Sequence, residues 1–168
     1  KGANQALAAA RQGATASLIG CVGDDGKGPA YMDYLESSGL NIQGVNNLAD
    51  VETGAAYITV SPDGTNTIVC VQGANAWLSA ELVAEQTHLL EAADVVICQF
   101  ESPIESVVMA LQYASENGKT SILNPSPLST EFPWGQVAID FLILNERESA
   151  ALFGYFVEAT HDAPQLRA

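Results

Sequence analysis

The chain has 168 residues, 48% of them hydrophobic, and twenty acidic against six basic side chains give a net charge of −14. That length suits one domain with a real core, and the apolar share excludes a disordered polymer. The acidic field repels nucleic acid and anionic membrane, and no apolar run approaches the ~20 residues of a membrane helix, so neither partner is expected. A phosphorylated ligand is not excluded, because local donors and a divalent cation overcome a global field at short range. Cys21, Cys70 and Cys98 each fall in or beside an apolar run and are expected to be buried, reduced thiols of a cytosolic protein. Neither His88 nor His161 has partners at metal-ligand spacing, so no zinc site is expected.

In chain order, the Ala-rich stretch at residues 3–12 predicts a helix closed by Gly13. Thr15 to Gly20 predicts a short strand, followed by a Gly-rich turn, Cys21-Val22-Gly23-Asp24-Asp25-Gly26-Lys27-Gly28. This turn lacks the order of a phosphate loop. Pro29 to Ser38 predicts a helix stopped by Gly39, whereas Ile42–Asn46 and Asp50–Glu52 are too polar to assign. Thr53 to Val60 and Thr65 to Val71 are β-branched and aromatic around Ser61-Pro62-Asp63-Gly64, which predicts a hairpin. Both of its faces are apolar, so it should cover a ligand, pair with another ribbon, or do both. Leu78 to Leu90 predicts one helix with Ser79 as its cap. Asp94 to Phe100 is a continuous apolar run, the mark of a parallel strand buried on both faces. Helix 103–117, strand 120–123, a Pro-rich loop, strand 140–144 and helix 146–153 complete a βα alternation that predicts a parallel sheet.

Polar groups follow three of these strands: Glu101-Ser102-Pro103, Asn124-Pro125-Ser126-Pro127 and Asn145-Glu146-Arg147-Glu148. Ligands of open parallel sheets bind beyond the carboxyl ends of strands, but Ser102 and Asn145 are equally good helix caps. Lys1, Gly2 and Asn4 sit at a helix start, where free N–H groups could grip a hydroxyl-rich or anionic ligand. An ordinary helix with a solvated lysine satisfies the same pattern.

Lys1-Gly2-Ala3-Asn4-Gln5-Ala6 resembles the sugar-binding signature of the ribokinase-like (PfkB) carbohydrate kinases, in the form carried by their ribokinase branch. The likeness runs to roughly Gly154 and includes the Gly-x-Asp-x-x-Gly turn, the lid return Gly73-Ala74-Asn75-Ala76, Glu101-Ser102-Pro103 and the Asn-x-x-Glu motif of Asn145 to Glu148. It implies an α/β fold: an incomplete Rossmann-like parallel sheet with flanking helices (residues 1–41 and 73–168), carrying a small β lid hairpin within residues 42–72. It further implies that Lys1, Gly2, Ala3, Asn4 and Glu101 hold the sugar, and that Ala56 and Val71 cover it from the lid. Asn145 would lie near nucleotide phosphates, and Glu148 would order Mg²⁺ through water. The implied reaction is ATP-dependent phosphorylation of D-ribose to ribose 5-phosphate in the cytoplasm, with K⁺ as activator and a homo-oligomer built through the lid or an exposed sheet edge. A related kinase acting on another sugar or nucleoside is the alternative, as is a non-catalytic sugar-binding or dimerisation module. Against the family's pattern, the chain starts inside the sugar motif and stops at Ala168 with no Gly-Ala-Gly-Asp. The catalytic base is therefore expected beyond Ala168, and the 168 residues alone are expected to be inactive. Tyr155 to Ala168 matches the family poorly.

Overall fold

A computed structural model describes residues 1–154. The tail from Tyr155 and His161 within it lie outside the described residues. The chain folds as α1 (Gly2–Arg11), β1 (Ser17–Gly23), α2 (Lys27–Ser37), β2 (Asn41–Leu48), β3 (Ala55–Val60) and β4 (Asn66–Val71). A 3₁₀ turn at Gly73–Trp77 leads to α3 (Ala80–Glu85), α4 (Thr87–Ala92), β5 (Val95–Gln99), α5 (Ile104–Glu116), β6 (Thr120–Asn124), β7 (Phe141–Leu142) and α6 (Glu146–Phe153). Mixed α/β architecture with parallel strands agrees with the periodicity.

The parallel strands form separate pieces. β1 pairs in parallel with β2, whereas β5, β6 and β7 form a second parallel sheet. Ser17, Leu18 and Ile19 of β1 and Val95 to Gln99 of β5 line a cavity of about 570 Å³, and no strand among the described residues bridges the two sheets. This changes the expected burial of β5. Val96 and Cys98 are buried on one face, but Val95 and Ile97 on the other remain 44% and 41% exposed, because that face is incompletely covered by the described residues.

β2 forms from the polar stretch that propensity left unassigned, and it pairs with β1 rather than with the hairpin. The hairpin itself is the antiparallel ribbon β3–β4, pinned by the Asp63 side chain, which accepts hydrogen bonds from the Thr65 amide and hydroxyl at 3.1 and 2.7 Å. Cys70 lies exposed on this ribbon, contrary to the expected burial, because both faces of the hairpin stand in solvent. Cys21 and Cys98 are buried, and burial pushes their thiols up to about 11 and about 12.

The helix predicted over 78–90 is broken at Gln86, where the Thr87 hydroxyl donates back to the Ala84 carbonyl at 2.5 Å. Ser79 caps α3 as expected, accepting from the Leu82 amide at 3.3 Å. Ser102 does not cap α5; Pro103 occupies that position without a side-chain bond. The main core joins α3, α4, β5, α5 and β6 around Leu111, Ala114 and Leu123, all fully buried. Phe100, Phe132 and Trp134 close one part of it, with ring centroids 5.1 and 4.8 Å apart in succession, and so tie the long loop after β6 to the end of β5. A second cluster of Leu7, Leu35 and Leu40 fastens α1 and α2 together. No described helix is long and apolar enough to cross a membrane.

Candidate functional site: the carboxyl edge of the second sheet

The apolar run of β5 ends at Gln99, and the chain turns through Phe100, Glu101 and Ser102 before α5 begins. The first turn of α1 arrives at the same place. The approach is close at Gly2: a Cβ there would stand 2.8 Å from Gln99 Oε1, so a larger residue would make the Gln99 amide move aside. Lys1, immediately before α1, then lies against Glu101. Its Nζ donates to Glu101 Oε1 at 2.6 Å. Burial works to raise the Glu101 carboxyl, yet the bonding from Lys1 outweighs it and holds the group below its ordinary value. A charged, half-buried carboxylate beside an ammonium is the result.

Behind this ion pair runs a row of amides. Gln99 Nε2 donates to Gln5 Oε1 at 2.6 Å, Gln5 Nε2 reaches Asn124 Oδ1 at 3.5 Å, and Asn124 Nδ2 donates to the Ile143 carbonyl at 2.9 Å. The row spans the carboxyl ends of β5 and β6, with Gln5 and Gln99 at the lining of the cavity between the sheets. Charged acceptor, charged donor and neutral amides side by side can bind several hydroxyls of one small polyol. Gln5, Gln99 and Asn124 complete the cluster; Asn124 is among the polar groups the sequence places after a strand, whereas sequence reasoning did not count Gln5 and Gln99 as ligand-binding residues. A polar residue ending a wholly apolar strand was the available signal for Gln99.

The other expected positions are distributed as follows. Ala3 packs against the Leu7, Leu35 and Leu40 cluster, while Asn4 is exposed on the first turn of α1. Ala56 pairs with Cys70 and Val71 with Ala55, so Ala56 and Val71 lie on opposite faces of the ribbon and only one of them can face a given ligand. Asn145 and Glu148 form a reciprocal cap on α6: Asn145 Oδ1 accepts from the Glu148 amide and Glu148 Oε2 from the Asn145 amide, both at 2.9 Å. The cap uses one oxygen of the Glu148 carboxylate. Among the described residues no three His, Cys, Asp or Glu side chains gather as a metal site. The donor set among these residues does not fit direct enclosure of a metal ion, and the second carboxylate oxygen of Glu148 is outside the cap.

An α/β fold with charged and amide side chains gathered at the carboxyl edge of its parallel strands has the layout of a small-ligand protein. Residues 1–166 match the family of pfkB carbohydrate kinases, and the chain belongs to that family. Ribokinase from Haemophilus influenzae is 34% identical over 168 residues, covering all of this chain and 54% of that protein. Deoxyribokinase from Salmonella typhi is 32% identical over 163 residues, 96% of this chain and 53% of that protein. Among solved structures, ribokinase from Cryptococcus neoformans in complex with ADP superimposes with a TM-score of 0.76 at 37% identity, over 90% of this chain and 48% of that one. The chain spans about half the length of these relatives.

Proposed function

We propose that the full-length protein transfers the γ-phosphoryl group of ATP to the terminal hydroxyl of D-ribose, and that residues 1–154 supply its sugar site. The observation that carries this reading is the Lys1–Glu101 pair standing beside the Gln5–Gln99 amides at the sheet edge. Glu101 accepts sugar hydroxyls as a carboxylate, Lys1 donates to them, and Asn4 reaches the same sugar from the first turn of α1. A ring of such groups discriminates, because a sugar lacking one hydroxyl leaves a buried polar atom unpaired. The ribbon covers the sugar and supports a second copy of the chain on its opposite face.

Asn145 lies towards the nucleotide phosphates, and Glu148 orders Mg²⁺ through water; the ion, when bound, neutralises charge on the transferred phosphoryl group. K⁺ activation and a catalytic base outside residues 1–168 complete the scheme. The 168 residues alone hold sugar without turning over ATP, and the buried thiols Cys21 and Cys98 suit a cytoplasmic setting.

Deoxyribokinase among the relatives favours a second reading, in which the sugar lacks its 2-hydroxyl. An ADP-release assay on the full-length protein with ATP, Mg²⁺ and either sugar decides between them. Ribose-dependent release at the higher kcat/KM supports the first reading, a preference for 2-deoxyribose supports the second, and release with neither overturns both.

A further inference from the structure

The β3–β4 ribbon pairs only with itself among the described residues, and every residue from Ala56 to Gln72 is exposed. Whatever sets its angle to the rest of the chain must act at its root. One side chain concentrates the bonding there. Asp25 Oδ1 accepts from the Thr53 hydroxyl at 2.8 Å and from the Gly28 and Lys27 amides at 3.0 and 3.1 Å. Its Oδ2 accepts from the Thr53 amide at 3.0 Å. The Thr53 hydroxyl oxygen in turn accepts from the Gly23 amide at 3.0 Å.

A single carboxylate thus ties the end of β1 and the start of α2 to the residue two positions before β3. The backbone is drawn close enough that a Cβ on Gly23 would stand 2.0 Å from the Val51 carbonyl oxygen. The second arm is tied to the first, since the Ala74 amide donates to the Glu52 carbonyl at 2.8 Å. A Cβ on Gly54 would stand 2.5 Å from the Gln72 carbonyl oxygen, so the two arms nearly touch. The clamp joins the end of β1, the start of α2 and the ribbon's root, and among the described residues no other strand pairs with the ribbon beyond it.

We infer that Asp25, acting through Thr53, is a positioning residue that fixes the angle of the ribbon over the sugar site. The inference rests on the proposed sugar-kinase reading for its kinetic consequence, and on geometry alone for its structural one. A helix cap needs the Lys27 and Gly28 amides; it does not need the two bonds to Thr53, which is 28 residues away. Those long-range bonds are the distinguishing feature.

The test uses the full-length protein with Thr53→Val, which keeps the side chain's size and removes its hydroxyl, Thr53→Ser as the conservative rescue, and Asp25→Asn as a second lesion should Thr53→Val fold poorly. Hydrogen exchange is read at Gly23, Thr53 and across the ribbon, and KM is measured for ribose and for ATP. Both lesions should speed exchange at Gly23 and Thr53 and raise the ribose KM by roughly tenfold, leaving the ATP KM within about twofold, with Thr53→Ser close to wild type. Unchanged exchange at the root overturns the inference. So do ribose and ATP constants that worsen together, which would mark a general loss of structure. A wild-type protein with no sugar-dependent turnover would sink the kinase reading instead. The exchange arm then decides the clamp by itself: lost protection in both lesions supports it, retained protection refutes it.

Discussion

Replacing Glu101 with Gln tests the sugar site most sharply, because it keeps the side chain's shape and removes its charge. In the structure one oxygen of this carboxylate takes the Lys1 ammonium at 2.6 Å. The neutral amide oxygen of Gln accepts from the Lys1 ammonium more weakly than a carboxylate oxygen, and its NH₂ group only donates. Hydrogen bonds to a charged group contribute about 1.5–3 kcal/mol, and leaving water access reduces that figure. Glu101 is 37% exposed at its side chain, so the lower part of the range applies. A loss of about 1–2 kcal/mol corresponds to roughly 5- to 30-fold weaker ribose binding. Calorimetric titration of the full-length protein with ribose, and separately with ATP, gives the answer. Ribose affinity should fall by that factor while ATP affinity holds. Equal ribose affinity in the variant would refute the assignment of Glu101 to the sugar. A matching loss for ATP would show that the substitution had disturbed the fold instead.

Other consequences are open to simpler assays. Leu111→Ala empties a fully buried position between α3, β5 and β6 and should lower unfolding free energy by about 2–5 kcal/mol, read from chemical denaturation. Asn145→Ala removes the cap of α6 and should cost about 0.5–2 kcal/mol in the same measurement, with ribose affinity unchanged. Asp25 provides a pH signature: the Thr53 hydroxyl first, then the Gly28 amide, hold its carboxyl well below the ordinary carboxylate range. A carboxyl depressed in the folded state contributes stability that is complete above its unfolded value of about 3.9 and is lost as pH falls towards the folded value. The stability difference between wild type and Asp25→Asn should therefore be flat above about pH 5 and shrink below about pH 4. A difference independent of pH down to acid unfolding would contradict the clamp's charge.

Elements whose own residues carry the decision were legible. Ile104, Val107, Val108 and Leu111 announce α5 by their spacing, and Ser61-Pro62-Asp63-Gly64 announces the hairpin turn. β2 was not legible, because Asn41, Gln43, Gly44 and Asn46 have little strand preference and owe their conformation to pairing with β1. Asp94 to Phe100 shows the converse failure. Its composition predicts the strand, but burial on both faces depends on neighbours that the run does not encode, and Val95 and Ile97 stay exposed.

The candidate site divides the same way. Lys1 and Glu101 lie a hundred residues apart, and no spacing rule joins them; family resemblance named both, and the arrival of α1 at the end of β5 brings them within bonding distance. Asn145 and Glu148 carry a strong local signal for a helix cap, which the structure displays. The opposite faces of Ala56 and Val71 follow from cross-strand register, which the hairpin sequence does not reveal until the turn is fixed.

The most direct measurement is a crystal structure of the full-length protein grown with ribose. The account predicts sugar hydroxyls within hydrogen-bond distance of Lys1 Nζ and the Glu101 carboxylate, with the β3–β4 ribbon over the ring. Ribose bound elsewhere, with the Lys1–Glu101 pair closed as it is here, would contradict it.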